Sequence, residues 1–216
     1  MGLLREFCAE NVEHVAEALV AGAKRIELCD NLAVGGTTPS VGVIRAAVGL
    51  VREADAAVMV IIRPRGGDFA YSEAELNIME DDIRAALAEG ATGVVLGCAR
   101  NGQLDVPATE RLLACVRACR PDAQVTFHMA FDAIAADEQL AAIDWLSERG
   151  VTRILTHGGP AGTDVFENVP RLREYVARAA GRITILPGGG VSWQNAEQVA
   201  EAVGVTEVHG TKIVRL

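Results

Sequence analysis

Two hydrophobic patterns alternate regularly along this sequence, and the alternation limits the folds that the chain can adopt. Eight short aliphatic runs recur about every 25 to 35 residues, and between them the apolar positions follow a helical period. The runs cover residues 3–8, 25–29, 57–63, 93–98, 124–129, 153–157, 183–187 and 206–210. Repeated βα units favour a parallel sheet covered by helices, so the sequence predicts a TIM-type (β/α)8 barrel. A doubly wound open sheet is the alternative.

The length and the unbroken alternation predict a single domain over residues 1–216. Single hydrophobic cores keep growing up to roughly 250 residues, and no linker or low-complexity tract interrupts this chain. Helix starts are indicated by two predicted capping boxes, Ser72 with Glu75 and Asp164 with Glu167.

Only the residues TKIVRL follow the last aliphatic run, which is too short for a normal closing helix. We therefore expect a barrel that lacks a full eighth helix. The groove between the first and seventh helices would then be uncovered, and its apolar wall predicts contact with a second copy of the chain. The expected assembly is a homo-oligomer, a dimer or larger.

Charge and composition exclude several classes of partner. A net charge of −9 and a pI near 5.0 argue against nucleic-acid binding, which needs a concentrated basic surface. No apolar run approaches the roughly 20 residues that span a bilayer, and no signal-peptide pattern opens the chain. We expect a cytoplasmic protein without a membrane anchor. Five cysteines, an odd number, then predict reduced thiols.

Residue parity predicts a polar mouth for the barrel. Side chains of a strand alternate between its two faces, and residues such as Phe7 and Leu28 occupy the face that must meet the helices. The opposite, inward face is polar toward the C-terminal end of most strands, where it carries Glu6, Cys8, Glu27, Cys29, Arg63, His128 and His209. This end of a TIM barrel forms active sites. A structural network in which Glu6 and Glu27 pair with Arg63 is the alternative.

A glycine-rich turn follows the seventh aliphatic run. The stretch PGGGVS contains Gly188, Gly189 and Gly190 and precedes a helix expected to begin near Ser192. Backbone amides and a helix N-terminus at this place in a barrel often bind phosphate, so the turn is a candidate anion site. Glycines required only for a tight turn are the alternative.

Two of the cysteines have the same predicted orientation on neighbouring strands. Cys8 and Cys29 both point inward, and adjacent strands lie about 4.8 Å apart, so their thiols can reach one soft ion such as Cu(I). Two small buried hydrophobic side chains are the alternative. Cys115 and Cys119 lie one helical turn apart on an apolar helix face, which indicates a packing role.

Several stretches together resemble the CutC family, which is named for copper homeostasis. The matching stretches are RIELCDNLAVGGTTPS (25–40), IIRPRGGDFAYS (61–72), VTFHMAFD (125–132), LTHGG (155–159), LPGGGV (186–191) and EVHG (207–210). The resemblance implies a TIM-type barrel, a cytoplasmic location and a role in copper binding or tolerance. It also implies Cu(I) ligation by Cys8 and Cys29.

The sequence departs from the family pattern at three places. Met129 stands where the family usually has arginine, and His157 stands where it usually has serine. The family also generally continues beyond the eighth strand.

Two functions are consistent with these residues, and a purely structural oligomeric scaffold would leave the polar interior unexplained. The first is Cu(I) binding by Cys8 and Cys29. The second is an enzyme acting on a small anionic metabolite, phosphorylated metabolites included. Arg63 and Arg65 would bind the anion together with Gly188, Gly189 and Gly190, and His128 would transfer protons with Glu27 or Asp132. The candidate catalytic residues are Glu27, Arg63, His128, Asp132 and His209.

Overall fold

The computed structural model describes residues 2–216, which form a nearly closed barrel of eight parallel strands. These are β1 (Leu4–Glu10), β2 (Arg25–Cys29), β3 (Ala57–Ile61), β4 (Gly93–Leu96), β5 (Gln124–Phe127), β6 (Arg153–Thr156), β7 (Thr184–Pro187) and β8 (Glu207–Gly210). The hydrogen-bonded order runs from β8 through β1 to β7. β7 and β8 pack side by side, so the sheet curls round into a barrel. The predicted TIM-type architecture is confirmed, and the open sheet is excluded.

Seven α-helices surround the strands. They are α1 (Val15–Val20), α2 (Val41–Glu53), α3 (Glu73–Ala88), α4 (Val106–Cys119), α5 (Gln139–Glu148), α6 (Val169–Ala179) and α7 (Ala196–Val203). Within residues 2–216 no α-helix follows β8, as the short terminal segment predicted. In the same range no helix is both long and apolar enough to cross a lipid bilayer.

One of the two predicted capping boxes forms. The Ser72 hydroxyl accepts a hydrogen bond from the Glu75 amide, and the Glu75 carboxylate accepts one from the Ser72 amide, which starts α3. The prediction at Asp164 is wrong, because α6 begins only at Val169. The Asp164 carboxylate instead accepts a hydrogen bond from the amide of Phe166, closing a turn before the helix.

Two separate apolar clusters confirm the parity argument. The residues predicted to face the helices belong to the large cluster between strands and helices: Phe7, Leu28, Ile62, Phe127 and Val208. A second, small cluster lies inside the barrel and consists of Cys8, Cys29, Met59, Ile61 and Val95. The strands therefore direct one set of side chains toward the helices and the other set into the barrel.

Candidate functional site

A cavity of about 170 Å³ opens at the C-terminal end of the barrel strands. Six residues predicted from parity line it, namely Cys8, Glu27, Cys29, Arg63, His128 and His209. The rest of its lining is largely apolar and includes Leu32, Ile61, Phe69, Met129 and Leu155. The sequence located this cavity because the inward faces of the strands become polar at the same end.

The thiols of Cys8 and Cys29 meet at the wall formed by β1 and β2. Their sulfur atoms lie 3.9 Å apart, and both side chains are buried. In the strand register Cys8 lies opposite Glu27, and Cys29 lies opposite Glu10. The two cysteines are thus diagonal neighbours, and their side chains converge on one point of the cavity.

A third and a fourth potential ligand lie beside Cys8. The Cys8 sulfur, a carboxylate oxygen of Glu27 and a ring nitrogen of His209 all lie within 4.8 Å of one another. Thiolate, carboxylate and imidazole are the side-chain groups that bind transition metals. The sequence assigned Glu27 and His209 to catalysis and the cysteines to metal. The structure brings all four to one wall, formed by β1, β2 and β8, which we call the ligand wall.

The hydrogen bond between the two thiols shifts their pKa values in opposite directions. The hydrogen bond from Cys29 lowers the pKa of the Cys8 thiol well below its usual value, against the opposing effect of burial. The same contact, together with burial, raises the pKa of Cys29. The contact between the two sulfurs therefore favours deprotonation of Cys8 over deprotonation of Cys29.

His209 is surrounded by negatively charged groups. Its Nδ1 lies 2.8 Å from Glu6 Oε1, and its Nε2 lies 3.6 Å from Glu27 Oε2. Burial alone would lower the pKa of His209, but Glu27, Cys8 and Glu6 together raise it well above its usual value. Burial, followed by the nearby Cys8, also raises the pKa of the Glu27 carboxyl.

An ion-pair network supports the ligand wall from below. Arg25 contacts Glu6 through Nε and lies 2.7 Å from Glu207 through Nη2. Burial would raise the pKa of Glu6, but Arg25 and then His209 outweigh it and lower that pKa to about 2. The alternative in which Glu6 and Glu27 pair with Arg63 is wrong. Arg25 was missed, although it shares the inward parity of Glu27.

Arg63 is held by backbone carbonyls rather than by carboxylates. Its Nη1 donates to Val34 O at 3.0 Å and Gly36 O at 2.9 Å, and its Nη2 donates to Gly67 O at 2.9 Å. No carboxylate of residues 2–216 lies within the 4.0 Å of an ion pair with it, and its buried Nε has no hydrogen-bond partner. The guanidinium also lies over the ring of Phe69, 5.0 Å from the centroid.

His128 lies on the same side of the cavity as Arg63. Its Nδ1 accepts a hydrogen bond from the Ala130 amide at 3.1 Å, so its proton is on Nε2, which is buried without a partner. Burial and then Arg63 lower the pKa of His128 to about 3. A base this weak is poorly matched to proton abstraction near neutral pH. His128 instead offers an N–H group to the cavity.

Arg65 and Asp132, two further predicted site residues, lie outside this cavity. Arg65 Nε donates to Glu75 Oε1 at 2.5 Å, and its Nη2 donates to Asp68 Oδ1 at 2.9 Å. These contacts engage Arg65 with two carboxylates, and it does not line the cavity of Arg63. Asp132 accepts hydrogen bonds from the Thr156 hydroxyl and, at 2.9 Å, from the His157 amide.

The glycine-rich turn does not close over Arg63. Gly189 and Gly190 line a neighbouring cavity, which also includes Asp132 and His157. Gly188 allows a close approach, because a Cβ atom there would lie 2.6 Å from Leu155 Cδ1. The expected helix start near Ser192 is wrong, since α7 begins at Ala196. The Ser192 amide instead donates to Asn195 Oδ1 at 2.8 Å and forms a turn ahead of the helix.

Comparison with known proteins relates this barrel to one family. The model of the CutC family matches residues 3–214. A family protein CutC from Enterococcus faecalis is 52% identical over 98% of this chain and 100% of its own length. A mouse protein named copper homeostasis protein cutC homolog is 41% identical over 96% of this chain and 73% of its own. These matches agree with the resemblance that the sequence motifs indicated.

A crystal structure of a CutC protein from Streptococcus agalactiae has the same architecture. It superposes with a TM-score of 0.93 at 43% identity, covering 98% of this chain and 100% of that chain. The Enterococcus and Streptococcus agalactiae proteins are matched over their whole length. The expectation that family members continue beyond the eighth strand is therefore wrong for these two relatives.

Proposed function

The chain belongs to the CutC family, and we propose that it acts in copper homeostasis by binding Cu(I) through Cys8 and Cys29 at the barrel mouth. The observation that carries this proposal is the 3.9 Å separation of the two sulfur atoms inside the cavity. A metal–thiolate bond is about 2.3 Å long in zinc sites, so one ion of similar size reaches both sulfurs. The mouse relative's name, copper homeostasis protein, supports the general role.

The chemistry of the ligand wall favours Cu(I) over harder ions. Thiolates are soft ligands that select Cu(I), and imidazole also binds copper, whereas a site for magnesium or calcium would be built from oxygen atoms. His209 is positioned to supply the imidazole beside Cys8. Below the sulfurs lie Met59, Ile61 and Val95, whose apolar side chains limit access of water from the barrel interior.

The metal-free site favours deprotonation of one of its two thiols. Metal binding requires deprotonated thiols, and the pKa of Cys8 is lowered by the hydrogen bond from Cys29. The Cys29 proton must leave when a metal binds. Glu27, whose own pKa is raised by burial, lies next to Cys8 and can receive a proton at that point.

Anaerobic titration with Cu(I) in the presence of a competing chelator tests this proposal. The double variant Cys8→Ser, Cys29→Ser should bind Cu(I) at least about 100-fold more weakly, because loss of groups that only orient the metal ligands already costs about 10- to 100-fold in metal affinity. The matched control is Cys115→Ser, Cys119→Ser, which removes two thiols from α4 outside the barrel and should leave the high-affinity site intact. Equal affinity of the wild type and the Cys8/Cys29 variant would contradict the proposal.

The second candidate function is an enzyme that acts on a small anionic metabolite. What favours it is the pair of unpartnered N–H groups, Arg63 Nε and His128 Nε2, on residues that line one cavity. Glu27 is the stronger candidate for proton transfer, because burial and then the nearby Cys8 raise its pKa well above its usual value. A turnover screen with small carboxylic acids tests this function, and Glu27→Gln should abolish any activity that it detects.

Location and assembly complete the proposal. We propose a cytoplasmic protein, as the resemblance to the CutC family implies, and a homo-oligomer, because no α-helix follows β8 within residues 2–216 to lie between α7 and α1. Light scattering at micromolar concentration tests the assembly. A monomer at that concentration would contradict it.

A further inference from the structure

Two residues that line the cavity carry hydrogen-bond donors without acceptors. Arg63 and His128 are each 4% exposed, yet Arg63 Nε and His128 Nε2 have no hydrogen-bond partner. Phe69 lies between them, with its ring centroid 5.1 Å from that of His128 and 5.0 Å from the Arg63 guanidinium carbon. We call Arg63, Phe69 and His128 the donor wall.

Both donors are held in place by other hydrogen bonds, and the buried Tyr71 hydroxyl beside Arg63 also has no hydrogen-bond partner. Arg63 Nη1 and Nη2 are fixed by the carbonyls of Val34, Gly36 and Gly67, so the guanidinium cannot turn away without breaking three hydrogen bonds. The His128 ring is fixed through Nδ1 by the Ala130 amide. Buried polar groups are almost always paired in folded proteins, and each exception requires an explanation such as an absent ligand.

The charge of the donor wall points to the sign of that ligand. Arg63 is a buried cation, and within residues 2–216 it has no carboxylate partner. A buried charge is normally paired, since burial removes its hydration. An anion with two acceptor oxygens would satisfy both free N–H groups and supply the missing negative charge.

We infer that this cavity binds a small monocarboxylate, whose carboxylate accepts hydrogen bonds from Arg63 Nε and His128 Nε2 while its apolar body lies against Ile61, Phe69 and Leu155. This ligand site goes beyond copper binding, because none of its polar contacts is a copper ligand. It also defines the substrate class for the second candidate function.

The volume of the cavity and its mainly apolar lining favour a monocarboxylate over a phosphate. The cavity measures about 170 Å³ and is lined mainly by apolar groups, and an engineered protein cavity of about 150 Å³ holds benzene. A short aliphatic acid therefore fits. A dianionic phosphate carries a second charge and no apolar body, and so matches this mainly apolar lining less well.

Isothermal titration of the metal-free protein with butyrate tests the inference. Butyrate should bind, butyramide of the same shape should bind at least tenfold more weakly, and inorganic phosphate should bind more weakly than butyrate. His128→Asn should weaken butyrate binding at least tenfold, since asparagine keeps an acceptor for the Ala130 amide and loses the Nε2 donor. Arg63→Gln should have a similar or larger effect. Arg65→Gln is the control and should bind butyrate like the wild type.

A second measurement uses the wild-type protein and therefore does not depend on whether Arg63→Gln folds. In the wild type labelled with ¹⁵N-histidine, butyrate should shift the Nε2–H resonance of His128 more than that of the exposed His14. The inference is overturned if butyrate does not bind, if His128→Asn binds it equally, or if phosphate binds more tightly. The Cys8→Ser, Cys29→Ser variant should still bind butyrate, which separates a failure of this inference from a failure of the copper proposal.

Discussion

The two walls of the barrel mouth each contain one buried histidine, and the two histidines have opposite electrostatic environments. On the ligand wall, His209 contacts Glu6 at 2.8 Å and faces Glu27 and Cys8, which raise its pKa against the effect of burial. On the donor wall, burial and Arg63 lower the pKa of His128 to about 3. The same residue type therefore has a raised pKa on one side of the cavity and a lowered pKa on the other.

This difference shows that burial does not by itself determine what a histidine does in the mouth. Both rings are almost fully buried, and burial disfavours the charged form of each. Their pKa values differ because the neighbours of His209 are acidic groups, whereas the neighbour of His128 is the Arg63 guanidinium. The ligand wall has carboxylates and thiols assembled for a cation, whereas the donor wall has a guanidinium and a free N–H assembled for an anion. Four predictions test this contrast.

Substitution of Glu6 should have the largest effect, because it removes the anion that supports the ligand wall. Glu6→Ala leaves Arg25 buried with only Glu207 and takes away the partner of His209 Nδ1. Loss of one partner of a buried ion pair typically costs about 3–5 kcal/mol, so the free energy of unfolding should fall by that amount in urea denaturation.

The control for Glu6→Ala is the surface pair of Arg45 and Glu89, which also joins an arginine to a glutamate. Glu89→Gln should change the free energy of unfolding far less than Glu6→Ala does, since surface ion pairs contribute little. Similar losses in the two variants would mean that the network under the ligand wall is not energetically distinct from a surface contact.

The pH dependence of stability should report the donor wall. Unfolded histidine takes up a proton below about pH 6.5, whereas His128 in the folded protein stays neutral until about pH 3. The unfolded state therefore binds more protons in this window, and stability falls as the pH decreases. Each pH unit costs at most about 1.4 kcal/mol, which gives a loss of roughly 2–3 kcal/mol between pH 6.5 and pH 4.5 from this group.

The variant His128→Asn separates this contribution from those of other titrating groups. Urea denaturation of the wild type and the variant at several pH values should give profiles that converge as the pH falls from 6.5 to 4.5. Parallel profiles would mean that His128 takes up its proton at the same pH in the folded and unfolded states, and the contrast with His209 would be lost.

The strand pattern was sufficient to predict the barrel and the content of its mouth, because side-chain parity in a strand is a local property. Cys8, Glu27, Cys29, Arg63, His128 and His209 all line the predicted cavity. Side-chain parity also indicates an inward position for Arg25, which the sequence prediction did not include. Arg25 lies two residues before Glu27 on the same face of β2, and it forms the ion pair with Glu6.

The partners of Arg63 were not predictable in the same way. They are backbone carbonyls of Val34, Gly36 and Gly67, and any residue type supplies a carbonyl. Their positions depend on how two loops fold over the end of β3, which is a non-local property. Likewise, the start of α7 is delayed to Ala196 by a turn at Ser192, and a glycine-rich pattern does not specify where such a turn ends.

Phe69 connects the two residues of the donor wall, and its substitution should have a smaller effect than the two above. Phe69→Leu keeps an apolar side chain and removes the ring that lies under the Arg63 guanidinium. Cation–π contacts contribute about 0.5–2 kcal/mol, so the free energy of unfolding should fall by roughly 1 kcal/mol. Butyrate affinity should fall in parallel. An unchanged affinity would show that the ring does not position the guanidinium.

Arg65 should give the smallest effect, although it belongs to the same short stretch as Arg63. Its side chain is 37% exposed and already engaged by Asp68 and Glu75, so it has no unmet requirement for an anion. Arg65→Gln should therefore change the free energy of unfolding by about 1 kcal/mol or less, as for other exposed ion pairs, and leave Cu(I) and butyrate binding unchanged. If Arg65→Gln instead weakened butyrate binding as much as Arg63→Gln, the anion would lie at the outer rim, and the donor wall would not be its site.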